Sequence, residues 1–190
     1  MRISHYLSYT LRMSNNVLSA GNQQERSRAI PNPWYIVGFV EGEGTFHIAF
    51  YQDPNMKQSV KVIPEFHVSQ SYLRLGTLRD IQQYFGCGYL KENHPKSARD
   101  TTYVYVVRNR HDLEQRIIPF FERYPLRSTK RRSFQLFARV VEMMVNGQHR
   151  TSSGLRQVID LAYRMNVHGK YRQRRKNDVL KLLKSSETIR

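Results

Sequence analysis

The sequence predicts an α+β domain built on an antiparallel sheet, and three observations carry that prediction. Apolar residues alternate at period two in some segments and recur at helical spacing in others, in the order helix–strand–strand–helix–strand–strand–helix–helix. The strands come in adjacent pairs between helices, the first pair joined at the turn Asp53-Pro54-Asn55 and the second by a polar loop, an order that is α+β with an antiparallel sheet. No internal repeat of this unit is visible, and 190 residues suffice for one domain with its own core and are too few for two ordinary ones.

Asn32-Pro33 opens the first helix, with asparagine as N-cap and proline at the first helical position. The stretch Trp34–Val40 is apolar on every side, which predicts burial on more than one side, and it runs into Glu41-Gly42-Glu43-Gly44. In Thr45–Tyr51, Phe46, Ile48 and Phe50 share one face of a half-buried strand, and Asp53-Pro54-Asn55 is a turn. A second strand spans about Val60–Ser69, with Val62, Phe66 and Val68 on one face and Lys61, Glu65, His67 and Ser69 on the other. Leu73–Phe85 reads as a helix closed by Gly86, and strands follow at Tyr89–Glu92 and Thr102–Val107 around the polar loop Asn93–Thr101. A helix at His111–Tyr124 stops before Pro125. The next, carrying Phe134, Phe137, Val141, Met144 and Val145, ends at Gly147. Two more helical patterns occupy the tail, one with Leu155, Val158, Ile159 and Ala162, the other with Val179, Leu180, Leu182 and Leu183. The expected organisation is an Arg/Ser-containing leader (1–30), a core domain (31–150) and a basic helical C-terminal extension (151–190).

Charge narrows the function classes. Lys and Arg total 31 against 15 acidic residues, a net +16. Dense phosphate is the partner that gives such a surplus a use, so a nucleic acid is expected ahead of a lipid surface. No apolar run approaches the ~20 residues a spanning helix needs. The single Cys87 excludes a disulfide framework and any cysteine-based zinc module, which favours an intracellular setting. The leader has Glu25 as its sole acidic residue; an organellar transit segment and a simple disordered leader both fit it. Organelle (chloroplast or mitochondrion) and bacterial cytoplasm are the expected locations.

The chemistry concentrates at Glu41 and Glu43. Two carboxylates close an apolar helix at its electronegative end, a place that suits an acid only when a cation offsets it. Carboxylates are also the natural protein ligands of Mg²⁺, and such a pair in a strongly basic protein suggests metal-assisted phosphodiester hydrolysis. Two solvated turn glutamates would look the same from composition alone. Opposite the apolar strand faces, His47, Tyr51, Lys61, Glu65, His67 and Ser69 form a mixed donor–acceptor surface that suits base-edge readout in a major groove. Lys91 and Asn93, on and after the third strand, join that set. The cluster Lys170–Lys176, including Arg172, Arg174 and Arg175, has the composition of a phosphate clamp, and equally that of a solvated basic tail.

The segment Ile36-Val37-Gly38-Phe39-Val40-Glu41-Gly42-Glu43-Gly44 closely resembles the motif of LAGLIDADG homing endonucleases, with acids at its sixth and eighth places and glycine at its third and ninth. Pro64–Gln70 is similar to that family's second strand, Gly86–Leu90 to its turn into the third, and Ile118–Leu126 with Lys130 to its lysine-bearing segment. Val37 for the usual alanine and glutamate for the commoner aspartate are the departures. The resemblance implies a saddle of two sheets, with the motif helices paired at the interface of a homodimer, because one chain holds one motif. It implies Glu43 as metal ligand with the Gly42 carbonyl, Glu41 as a brace of the helix end, and Gln70 orienting the hydrolytic water. It further implies Lys130 and Arg74 in the catalytic pocket, and Gly38 and Gly42 at the helix crossing. Mg²⁺ is the implied cofactor, with Mn²⁺ as substitute. The implied function is site-specific cleavage of both strands of a long, partly palindromic duplex DNA. The alternatives on the same fold are an RNA maturase acting on its host intron and a catalytically silent DNA-binding regulator.

Overall fold

The computed structural model describes residues 31–55, 59–95, 101–165 and 174–187. Residues 1–30, Arg172 and the middle of the Asn93–Thr101 loop lie outside that set.

Helix α1 (Pro33–Glu43) starts as predicted, with the Asn32 side chain accepting the Trp34 N–H at 2.9 Å. It continues past Val40 because its hydrogen bonds persist to the Gly44 N–H, which donates to the Val40 carbonyl. Both glutamates therefore sit in the last helical turn and not in a connecting turn. Strands β1 (Gly44–Gln52) and β2 (Val60–Ser71) form an antiparallel hairpin in the register Phe46↔Phe66, with the turn held by the Asn55 N–H on Asp53 Oδ1 at 3.1 Å. A 3₁₀ turn (Tyr72–Arg74) precedes α2 (Leu75–Phe85). The predicted start at Leu73 is corrected: that side chain is 92% exposed and begins no buried stripe. Gly86 ends α2 at φ 62°, the left-handed conformation glycine adopts without cost.

β3 (Tyr89–Glu92) and β4 (Thr102–Val107) complete a sheet of order β1-β2-β4-β3, antiparallel throughout. Then α3 (Arg110–Asp112), a π-helical segment (Leu113–Ile117) and α4 (Ile118–Arg123) run on without a break, capped by Asn109, and stop before Pro125. α5 (Lys130–Val145) ends at Asn146, one residue before Gly147, and a 3₁₀ turn (Gln148–Arg150) leads to α6 (Ser152–Arg164) and α7 (Lys176–Glu187).

The register places the even-numbered side chains of β2 toward the helices. There Phe46 is the hub, with ring centroids 5.3 Å from Phe66, Phe134 and Phe137 and 5.5 Å from Phe121. Pro64 sits opposite Ile48 of β1, and β4 reaches β2 only from Phe66 onward. A smaller core of Val60, Leu155, Ile159, Val179 and Leu183 fixes α6 and α7 against the start of β2.

Helix α1 is buried on one side only. Ile36, Val37 and Val40 meet the sheet, while Trp34 and Tyr35 are half exposed and Gly38 and Gly42 face open space. Among the described residues, the predicted burial on several sides does not occur, because one sheet covers one face of a helix.

Candidate active site

Strand register assembles the site at one end of the sheet. Gly44 pairs with Val68, so the end of α1 lies beside Ser69 and Gln70 at the end of β2. Arg74 follows on the 3₁₀ turn, exposed. Glu43 is exposed at the last helical position, and among the described residues no hydrogen bond or ion pair engages its carboxylate. Gln70 is half buried, and its Oε1 accepts the Ser71 N–H at 2.8 Å.

Glu41 points the other way. Its Oε1 accepts the N–H groups of Arg127 and Ser128, and its Oε2 accepts the Ser128 hydroxyl. Partial burial alone would raise its pKa; the Ser128 and Arg127 bonds and the Lys130 charge outweigh that and hold it below the ordinary carboxylate value. Glu41 thereby pins the segment leading into α5 to the end of α1.

Lys130 makes the complementary tie. Its Nζ donates to the carbonyls of Val40 at 2.7 Å, Glu41 at 2.9 Å and Gly44 at 2.6 Å. An ammonium has three donors, and these three carbonyls take them all. Burial lowers the Lys130 pKa, against the opposing charges of Glu41 and Glu43. A lysine opening a helix is misplaced with respect to that helix's dipole. Here the charge serves the electronegative end of α1 instead, and supplies the cation that the two glutamates required. In this geometry Lys130 holds the backbone that carries Glu43, and its donors do not point into an open pocket.

On the open face of the sheet, His47, Tyr51 and Lys61 are exposed, Ser69 and His67 are half buried, and Lys91 and Asn93 are exposed at the β3 side. Glu65 departs from the prediction. It is only 3% exposed; His67 Nε2 lies 2.8 Å from its Oε2 and Arg108 Nε pairs with its Oε1. Burial works to raise its pKa, and His67 and Arg108 override it to a net lowering. As a reader of base edges Glu65 is therefore corrected: its acceptors are spent within the protein. Arg108 and Ser128 were the residues that sequence reasoning missed. The strand parity that places His67 on the open face also places Arg108 there; no sequence signal marks Ser128. Arg174 and Arg175 are exposed ahead of α7.

The model for the family described as LAGLIDADG endonuclease matches residues 36–141, and the chain belongs to that family. A probable intron-encoded endonuclease 2 of Neurospora crassa is 29% identical over 130 residues, covering 68% of this chain and 28% of the relative. The chain spans only about a quarter of the first curated relatives it matches, with shares of 28%, 26% and 25%. Among solved structures, the homing endonuclease I-TnaI superposes with a TM-score of 0.71 at 31% identity over 82% of this chain and 98% of its own. The archaeal intron-encoded homing endonuclease I-Vdi141I, solved in complex with DNA, gives a TM-score of 0.72 at 30% identity over 82% and 96%. The antiparallel sheet backed by helices is thus the fold of this family.

Proposed function

We propose that the chain is a site-specific homing endonuclease that acts as a homodimer and cleaves both strands of a long, partly palindromic duplex DNA. The observation that carries this reading is one unengaged carboxylate, Glu43, on a helix whose remaining face is open at Gly38 and Gly42. A Cβ at either glycine would meet nothing within 4 Å among the described residues. A second copy laid along that face brings a second Glu43 close to the first, one for each strand. The near-complete coverage of I-TnaI and I-Vdi141I supports a chain that is one such unit. In this reading residues 31–150 carry the chemistry and the groove, and 151–190 the flanking basic extension.

The donors at the site fit a hard cation. Glu43 and the Gly42 carbonyl are oxygen ligands at an electronegative helix end, and Mg²⁺ takes one or two carboxylates and leaves the rest to water and phosphate. Among the described residues no group of three His, Cys, Asp or Glu side chains is placed to form a closed cage. Bound there, Mg²⁺ (or Mn²⁺) supplies Lewis-acid polarisation of the scissile phosphate. Gln70 orients the attacking water, Arg74 offsets phosphate charge, and Lys130 with Glu41 fixes the end of α1 so that Glu43 is held in place. Among the described residues no helix is long and apolar enough to cross a membrane. We place the protein in an organelle or a bacterial cytoplasm.

The test is a plasmid library carrying the DNA that flanks the reading frame, incubated with the chain and Mg²⁺. Linearised product at one site supports the reading. Tight binding of the host intron RNA with no cleavage of any duplex would replace it with the maturase function.

A further inference from the structure

A bay of about 630 Å³ opens at the opposite end of β2 from the site. It exists because β4 pairs with β2 only from Phe66 onward, which leaves Val60–Pro64 without a strand on that side. Lys61 of β2, Arg108 and Arg110 at the exit of β4, and His149 and Arg150 beyond α5 line it, and among the described residues no acidic one does. From Lys61 to Gln70 is nine residues of strand, about 30 Å at ~3.3 Å each.

These charges are mostly uncompensated. Arg108 is paired with Glu65. Arg110 gives one donor to the Met144 carbonyl at 3.2 Å and keeps the others. Lys61 and Arg150 pair with no acid among the described residues. His149 is half-buried beside these cations, with the Met143 backbone as its hydrogen-bonding neighbour. Its pKa is lowered, first by burial and then by the charges of Arg110 and Arg150, so the bay already carries a positive field. Like charges gathered around a concave, half-apolar wall oppose folding unless an anion enters. The forked guanidinium donors of Arg110 and Arg150 match the oxygens of a phosphate.

We propose that this bay is a phosphate-binding site, filled by a backbone phosphate of nucleic acid that runs past the far end of the sheet. The phosphate chemistry stands independently of the endonuclease reading; only the source of the phosphate rests on it. Lys61 and Arg108 bring the bay to the edge of the open sheet face; a backbone phosphate held there carries no base information, so the contact positions and tightens rather than specifies.

Two measurements on the full chain test this. In the first, pyrophosphate alone is titrated and thermal unfolding is followed, with no DNA present. The wild type should be stabilised at millimolar pyrophosphate; Arg150→Gln and Arg110→Gln should lose most of that shift, and Arg150→Lys should recover part of it. In the second, the salt dependence of duplex binding is compared between Arg150→Gln and a control outside the bay's lining, Arg139→Gln, whose guanidinium pairs with Glu142. One lost phosphate contact should lower the log–log slope by about 0.9 for Arg150→Gln and leave the control unchanged. Loss of the pyrophosphate effect with an unchanged slope would support the site and overturn nucleic acid as its source in favour of free phosphates. Wild type and variants that respond alike to pyrophosphate would overturn the site. Glu43 is untouched in every arm, so failure here is separable from absence of nuclease activity.

Discussion

Glu43 and Glu41 are two residues apart and do opposite things. The first is exposed, and among the described residues no hydrogen bond or ion pair engages it; the second is consumed by Arg127 and Ser128. Glu43→Gln keeps the shape and removes the ligand charge. DNA cleavage should fall on the order of 10³-fold, the several kcal/mol a bound cation contributes. Filter binding in Ca²⁺ should show DNA affinity nearly unchanged; a variant that cuts at the wild-type rate would remove Glu43 from the site. For Glu41 the readout is pH. Its folded pKa lies below the usual 4.5, so its stabilisation is present above pH 4.5 and is lost as pH falls through the folded value. Glu41→Gln should lower stability above pH 4.5 and flatten the acid limb of a urea-midpoint-versus-pH curve. Equal acid limbs in the two proteins would mean that the brace contributes nothing. Lys130→Met leaves the carbonyls of Val40, Glu41 and Gly44 without their donor and should cost roughly 1–3 kcal/mol in chemical unfolding.

At the scale of elements, α1 offers an internal control through its glycines. At Gly44 an added Cβ would lie 2.5 Å from Val40 Cγ1 and 2.8 Å from the Val40 carbonyl oxygen, so the end of the helix must shift. Gly44→Ala should destabilise the isolated chain by about 1–3 kcal/mol, as overpacking does. At Gly38 an added Cβ meets nothing within 4 Å among the described residues. Gly38→Leu should leave monomer stability unchanged or raised, since glycine inside a helix costs up to ~1 kcal/mol against a good helix former. Its effect should fall on assembly. Sedimentation should show a dimer for the wild type and a monomer for the variant, and cutting of both strands should disappear with the dimer. A wild-type monomer of 22.6 kDa at micromolar concentration that still cuts both strands would overturn the homodimer.

For the whole molecule, the net +16 makes salt the controlling variable. With about 6–10 phosphate contacts, DNA affinity should fall on the order of 10³-fold or more between ~50 and ~200 mM salt. Removing the tail is a poor way to assign the extension's share of that slope, because Val179 and Leu183 are fully buried in the second core and truncation would open it. Arg174→Gln with Arg175→Gln leaves that core intact and is the cleaner variant. A slope about 2 units shallower would place both arginines on phosphate, and an unchanged slope would make them spectators.

Local pattern determined most of the architecture. Alternation in Phe46, Ile48, Val62, Phe66 and Val68 fixes two strands and their buried face, because a one-residue slip would turn every apolar side chain to water. Asn32-Pro33, Pro125 and Gly86 mark helix ends, since their backbone preferences act within a turn of the chain. The order of segments around Glu41, Gly42 and Glu43 was enough to indicate the family. Tertiary structure decided what each polar group is used for. That Glu65 is buried against Arg108, and that Lys130 crosses from the start of one helix to the end of another, depends on partners dozens of residues away. Which side of α1 stays open depends on where the sheet stops covering it. No periodicity encodes those choices: a charged side chain is committed by whichever donor or acceptor the packed fold brings within about 3 Å, and that distance exists only once the core has closed.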